Sequence, residues 1–197
     1  TFRVPIAVSG VLPTLPVPSY SCLLGFISCC AGRIISPNET QLGFEFIYSG
    51  KGMDVEQIIR WDYNDGNPKL NSKGTAVREK EFLVDPSLRL YVTNLELESA
   101  FQNPAGVISL GQSQDVVSIT GIRRVEMDAQ QSGRIGNTLI PFSFQMNTFP
   151  NGQIYLLPEY YKYDDKPGKL RKIGNNRQFI ATLSKSGHLQ EISHPNL

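Results

Sequence analysis

Histidine is nearly absent from this chain. His188 and His194 are the only two, and both fall in the last ten residues, where chain ends are least often tied down. A general base of that kind therefore has little support. Cysteine is scarce as well: Cys22, Cys29 and Cys30 share one apolar stretch. They have no C-x-x-C spacing and no histidine nearby, which argues against zinc. An odd count with two adjacent residues argues against a disulfide framework and for a reducing cytoplasm. The Asn38-Glu39-Thr40 sequon is then silent. Long hydrophobic runs are missing too. "CLLGFISCCA" (22–31) is half the roughly 20 residues of a membrane span, and prolines precede it rather than a secretory n-region. No membrane partner is expected. Excess charge is also lacking: the net value is +1. G-x-S-x-G, H-E-x-x-H and G-x-G-x-x-G do not occur, and "SGKGMD" lacks the spacer and Lys-Ser/Thr ending of a phosphate loop. No catalytic residue, metal or cofactor is expected.

What is present is an ordinary globular balance, 40% hydrophobic and 19% charged over 197 residues, enough for one substantial core. The chain opens at Thr1 rather than Met, so a few residues are expected to precede it. Charge is unevenly spread. Residues 81–133 are acid-rich and 134–197 base-rich, with basic clusters "KLNSKGTAVREK" (69–80) and "KYDDKPGKLRKIGNNR" (162–177). Such segregation is what a polyanion site needs, although a solvated surface is the commoner use.

The opening residues read as a strand, with Phe2, Val4, Ile6 and Val8 alternating with Arg3, Pro5 and Ala7. Pro13, Pro16 and Pro18 stiffen the loop that follows. Ser19 stands as a helix N-cap and Gly32 as a C-cap glycine, with Cys22, Leu23, Phe26, Cys29 and Cys30 on one face as core filler. "QLGFEFIY" (41–48) reads as a half-buried strand and "SGKG" as a turn. "MDVEQIIRW" fits either a short helix or a hairpin arm, and residues 62–76 read as a long mobile excursion. "VREKEFLV" returns, and "LRLYV" is a second strand. "NLELESAFQNP" reads as a short helix capped by Asn94. Apolar strands are expected on either side of the loop 111–115, then short strands at "TLIPFSF", "QIYLLP" and "QFIATL". Tyr155, Tyr160, Tyr161 and Tyr163 could stack on bases or simply pack, and Asp164-Asp165 reads as a surface loop. The order is that of an α+β, split βαβ, ferredoxin-like core with an inserted arm; the same core as an RNA-recognition motif reads single-stranded RNA.

"FRVPIAVSGVLPTLPVPSYSCLLGFISCCAG" resembles the opening of the CRISPR-associated family-five proteins: strand, proline-spaced loop, helix ending in Gly. "LGQSQD" is similar to their glycine loop "LGRSxD", and "GNTLIPF" and "IYLLPEYY" resemble segments of the type I-A/I-B branch. The resemblance spans essentially the whole chain and rests mainly on the shared order. It implies a ferredoxin-like (RNA-recognition-motif-like) βαββαβ core with a β-hairpin thumb at about 49–87, within residues 1–133. A β-rich part, 134–197, would pack on the same core as one domain. It also implies a cytoplasmic RAMP-superfamily subunit of the type I Cascade complex. Such a subunit holds the 5′ handle of the CRISPR RNA, caps the backbone filament, contacts the backbone and large subunits, and meets target DNA only indirectly.

Carried over, Pro18, Ser19, Tyr20 and Ser21 would face the handle. Gly111, Gln112, Ser113 and Gln114 would form the glycine loop beneath it, and Lys69, Lys73, Arg78 and Lys80 would lie on the thumb. Some relatives cut the precursor RNA with tyrosine, lysine and histidine together. Here Gln112-Ser113 stands where basic or histidine character belongs, so holding without cutting is expected; the alternative is a metal-independent endoribonuclease. Elementary chemistry points the same way. A helix N-terminus offers unpaired N–H groups to an anion, Gly111 permits close approach, and Ser113 and Gln114 supply neutral hydrogen bonds. Arg3 on the first strand would reach a base or phosphate. Each has a plainer use: Ser19 as a cap, Gly111 as a turn, Arg3 paired with an acid.

Overall fold

The computed structural model describes residues 1–4, 10–128, 130–146, 148–162, 172–182 and 189–193. His188, His194, Tyr163, Asp164-Asp165 and most of the expected first strand lie outside the described residues. The architecture is mixed α/β and dominated by strands. In chain order it runs β1 (Val11–Leu12), α1 (Tyr20–Ala31), β2 (Leu42–Ile47), β3 (Gly50–Asn64), β4 (Asn67–Val84) and β5 (Ser87–Val92). A 3-10 turn (Leu95–Leu97) leads into α2 (Glu98–Gln102). Then follow β6 (Ser132–Ile135), β7 (Leu139–Pro141), β8 (Gly152–Lys162), β9 (Lys172–Thr182) and β10 (Gln190–Ser193).

Helix α1 has the boundaries its local chemistry requires. Ser19 is extended (φ −77°, ψ 158°), and its Oγ accepts the Cys22 N–H at 3.3 Å. Gly32 is left-handed (φ 65°) and donates its N–H to the Cys29 carbonyl. Leu23, Leu24, Phe26, Ile27 and Cys30 are buried against Phe44 and Phe46 of β2, Leu139 of β7, Leu157 of β8 and Phe179 of β9. Cys22 is half-buried and packs against that core, whereas Cys29 is exposed. At about 100° per residue Cys29 falls beyond the edge of the buried arc, so the expected cysteine stripe is corrected to Cys22 and Cys30.

β2 and β5 pair antiparallel over their full lengths, Leu42 opposite Val92 through Ile47 opposite Ser87. The far edge of β2 receives Asn137, whose carbonyl accepts the Phe46 N–H at 2.9 Å. β9 lies between β7 and β8, and β6 pairs with β10. Three buried threonines tie neighbouring segments through their backbone groups. Thr14 binds the Phe2 N–H, Thr40 accepts from Thr93 and Asn94, and Thr182 bonds Gly136 and Thr138.

Residues 50–84 form a β-hairpin where the resemblance implies one at about 49–87. The residue-pattern reading of a turn at "SGKG" and a loop over 62–76 is corrected to strand over Gly50–Asn64 and Asn67–Val84. β3 and β4 form one long antiparallel hairpin, reversed at Asp65 (φ 50°) and Gly66 (φ 83°). Positive φ at both central positions is the geometry of a two-residue hairpin turn that Asp-Gly favours. "MDVEQIIRW" is thus a hairpin arm. The ladder is irregular between Ile59 and Trp61: Ile59 faces Thr75 while Trp61 faces Leu70, so residues 71–74 bulge opposite Arg60.

A second correction concerns residues 107–128. The strands expected around the polar loop reduce to one isolated bridge, Ser109 to Val116, because the flanking segments find no ladder partner. "NLELESAFQNP" is helical as expected, with Asn94 Oδ1 accepting the Glu96 N–H at 3.0 Å, although it opens as a 3-10 turn.

Candidate nucleic-acid interface

The proline-bearing loop is held from both sides. β1 runs parallel to the root of the hairpin, Val11 beside Glu79 and Leu12 beside Lys80, and Glu79 donates its N–H to the Gly10 carbonyl at 3.0 Å. Arg3 bridges Thr14. Glu81 on β4 closes the junction, its carboxylate accepting the Thr14 N–H and the Lys51 ammonium, each at 3.1 Å. The prolines therefore deliver the chain to Ser19 along a path fixed to the hairpin root.

The polar loop beside it is closed on itself. Asp115 accepts the Gln112 N–H at 3.2 Å and the Thr1 nitrogen at 2.6 Å, and Leu110 donates back to the Asp115 carbonyl at 3.0 Å. Gly111 has φ +106°, and a Cβ there would lie 2.4 Å from the Thr1 carbonyl oxygen. Both the conformation and the close approach require glycine. Burial pushes the Cys22 thiol up, and a hydrogen bond from the Gly111 backbone offsets part of that. The first turn of α1 and the glycine loop are thus in direct contact.

Lys80 joins the hairpin to this loop. Its side chain is 8% exposed, and its ammonium donates to Gln112 Oε1, which also accepts from Gln114 Nε2, both at 2.5 Å. A buried cation is tolerated only when it is bonded; Gln112 bonds it, and Gln114 holds Gln112.

The residues singled out in the sequence divide into three groups. Arg3, Ser19, Tyr20, Ser21, Arg78 and Gly111 line one open cleft of about 2560 Å³. Within it, Ser19 and Ser21 hydroxyls lie 3.0 Å apart, and the Tyr20 and Ser21 N–H groups open the helix end. Tyr20 is anchored: its hydroxyl donates to the Leu139 carbonyl at 2.9 Å, and its ring meets Phe44 and Phe179. Burial raises its pKa to about 12, with Arg177 opposing. Lys80, Gln112 and Gln114 form the bonded chain at the cleft's edge, and Ser113 is exposed beside them. Lys69 and Lys73 lie toward the hairpin tip. Lys69 faces Asp62, eight β3 residues beyond Asp54, the partner of Lys80, a distance of about 26 Å along the strand.

Three cations of the hairpin stand opposite acids. Lys80 faces Asp54, Arg78 faces Glu56 and Lys69 faces Asp62. Sequence reading missed Trp61 and Tyr63, exposed near the tip at 62% and 76%. The period-two run Ile59-Trp61-Tyr63 was their signal, hidden while 62–76 read as a loop. Tyr155 and Tyr160 pack against the core and Tyr161 is exposed. Among the described residues no three His, Cys, Asp or Glu side chains gather as a metal would need, and no helix is long and apolar enough to cross a membrane.

These elements define a class: a strand-dominated α/β protein with a capped helix and glycine loop at the root of a projecting hairpin. No family model matches the chain, and no curated protein matches it. Among solved structures, a chain described as "CRISPR RNA-guided surveillance complex" shares the fold. The TM-score is 0.52 at 18% identity, over 98% of this chain and 86% of that one.

Proposed function

We propose that this protein is a non-catalytic RNA-holding subunit of a CRISPR RNA-guided surveillance complex, a RAMP-type member that grips the 5′ handle of the guide RNA. On this reading it caps the backbone filament and touches the backbone and large subunits. The observation that carries the proposal is the convergence, around one cleft, of an open helix end, a required glycine and three arginines, Arg3, Arg78 and Arg177, from separate parts of the chain. The fold shared with the surveillance-complex chain supports the same reading. Phosphates would meet the N–H groups of Tyr20 and Ser21 and the guanidinium groups of Arg3 and Arg78. Lys80 positions the glycine loop rather than contacting the RNA. A ferredoxin-like arrangement, with the segment beginning at Phe2 as first strand, underlies this proposal.

The test is binding of a labelled repeat-derived handle RNA in EDTA, with RNA length checked on a gel afterwards. Retention of intact RNA, weakened several-fold by Arg78→Ala, is expected. A shortened product would establish the endoribonuclease alternative, and no affinity at low salt would reject RNA holding by the free chain.

A further inference from the structure

The second wall of the cleft is built from β8 and β9, and their ladder is interrupted twice. Pro158 pairs with Asn176 and Tyr160 with Asn175, so Glu159 is an extra residue on β8. Tyr161 then pairs with Ile173, so Gly174 is an extra residue on β9. Bulges of this kind re-aim side chains and gather beside functional sites. The Tyr160 ring occupies the space that a Cβ on Gly174 would need, and it packs against the core. Its chain neighbours Glu159 and Tyr161 line the cleft, as do Ile173 and Arg177. Glu159 is held from β9: one carboxylate oxygen accepts from Asn175 Nδ2, the other from the Arg177 guanidinium at 3.4 Å. Tyr161 and Ile173, paired across the ladder, are both exposed. Arg177 lies close enough to the Tyr20 hydroxyl to oppose the rise in its pKa, which sets the Arg177–Glu159 pair beside the open end of α1.

We infer that this bulge is a reading site for one unpaired nucleobase, and that guanine is the base it fits best. Tyr161 with Ile173 offers a plate on which a base stacks, and stacking alone is indifferent to sequence. Sequence is read at the edge of the base. Here a fixed donor, the Arg177 guanidinium, stands next to a fixed acceptor, the Glu159 carboxylate. Guanine's pairing edge carries the complement, the acceptor O6 beside two donors at N1 and N2. O6 accepts from Arg177, and the two N–H groups donate to the two carboxylate oxygens as a charge-assisted bidentate pair. Adenine, cytosine and uracil each bring a single donor group to that edge, so one carboxylate oxygen is left unmatched. The plainer use of the same residues, an ion pair that only joins β8 to β9, gives no preference among bases. A nucleotide in the cleft then sets its phosphate at the α1 end and its base on the bulge.

The inference deepens the RNA-holding reading and rests on it for the presence of RNA in the cleft, yet its probe needs no handle. Guanosine, inosine, adenosine, cytidine and uridine monophosphates are titrated into the full chain and followed by amide NMR. Guanosine monophosphate is expected to bind roughly tenfold more tightly than the adenosine, cytidine and uridine nucleotides. Inosine monophosphate, which lacks the N2 amino group, should fall between them. The largest shifts are expected at residues 159–161 and 173–177. Glu159→Gln should erase the ranking with Tm close to wild type, because the amide oxygen still accepts from Asn175. Tyr161→Ala should weaken all the nucleotides alike, because it removes the plate and leaves the edge contacts. Equal affinity for all of them in the wild type, no binding of guanosine monophosphate, or a ranking unchanged by Glu159→Gln would each overturn the inference. Handle-RNA affinity, measured separately, keeps the two readings apart. Handle binding without a base preference leaves RNA holding in place and removes the reading site, and a guanine preference without handle binding does the reverse.

Discussion

At Gly111, a single methyl group would have to occupy the space of the Thr1 carbonyl oxygen. Gly111→Ala is expected to destabilise the fold by about 1–3 kcal/mol through positive φ and the clash together, seen as a lower urea midpoint with unchanged slope. Ser19→Ala removes a cap bond and should cost about 1 kcal/mol. Tyr20 gives a pH signature. Its folded pKa is raised to about 12 by burial, against an ordinary value near 10. The folded state therefore keeps the proton longer, and the stability this contributes is present below about pH 10 and lost as pH rises toward 12. A urea series from pH 8 to 11 should show stability falling at the alkaline end, and Tyr20→Phe should flatten that fall. Cysteine reactivity separates by burial. Cys29 is exposed, while burial pushes Cys30 up to about 11 and raises Cys22. A thiol reagent at pH 8 should label Cys29 first, because thiolate and access are both needed.

At the scale of elements, legibility in the sequence followed locality. Both caps of α1 are contacts within a few residues, so Ser19 and Gly32 were readable. β2 and β5 alternate cleanly because one face of each is buried. The hairpin, implied by the family resemblance at about 49–87, was not readable from residue patterns in the same way, since its composition mimics a loop. Only Asp65-Gly66 announces the reversal. Gly66→Val, at φ 83°, should therefore loosen the tip. Faster amide exchange is expected at residues 61–70, with Tm of the body nearly unchanged, because the tip makes no contribution to the buried core. Lys80→Met tests the root: the amide cluster of Gln112 and Gln114 loses its cation, and exchange should rise across 110–116 with the core unaffected.

For the whole molecule, near-neutral charge and a cleft lined by Arg3, Arg78, Lys162 and Arg177 set how steeply salt can act. Each cation that neutralises a phosphate of single-stranded RNA contributes roughly 0.7 to the log–log slope. Contact through Arg3 and Arg78 alone thus expects a slope near −1.4, reduced to about −0.7 by Arg78→Ala. A steeper slope would mean that Lys162 and Arg177, which line the same cleft, also meet phosphate.

Periodicity and capping signals by themselves determined α1, the individual strands β2 and β5 and strand character within β7, β8 and β9, because each depends on neighbours close in sequence. The tertiary structure decided what these elements could be used for. It brought Lys80 to Gln112, Arg3 and Arg78 to one cleft, and the Thr1 carbonyl onto Gly111. It also turned a loop-like composition into a long hairpin. Each of these depends on pairing between residues far apart in the chain. Such pairings form only when burial of the shared core offsets the entropy of closing the chain between them, and no local pattern encodes that balance.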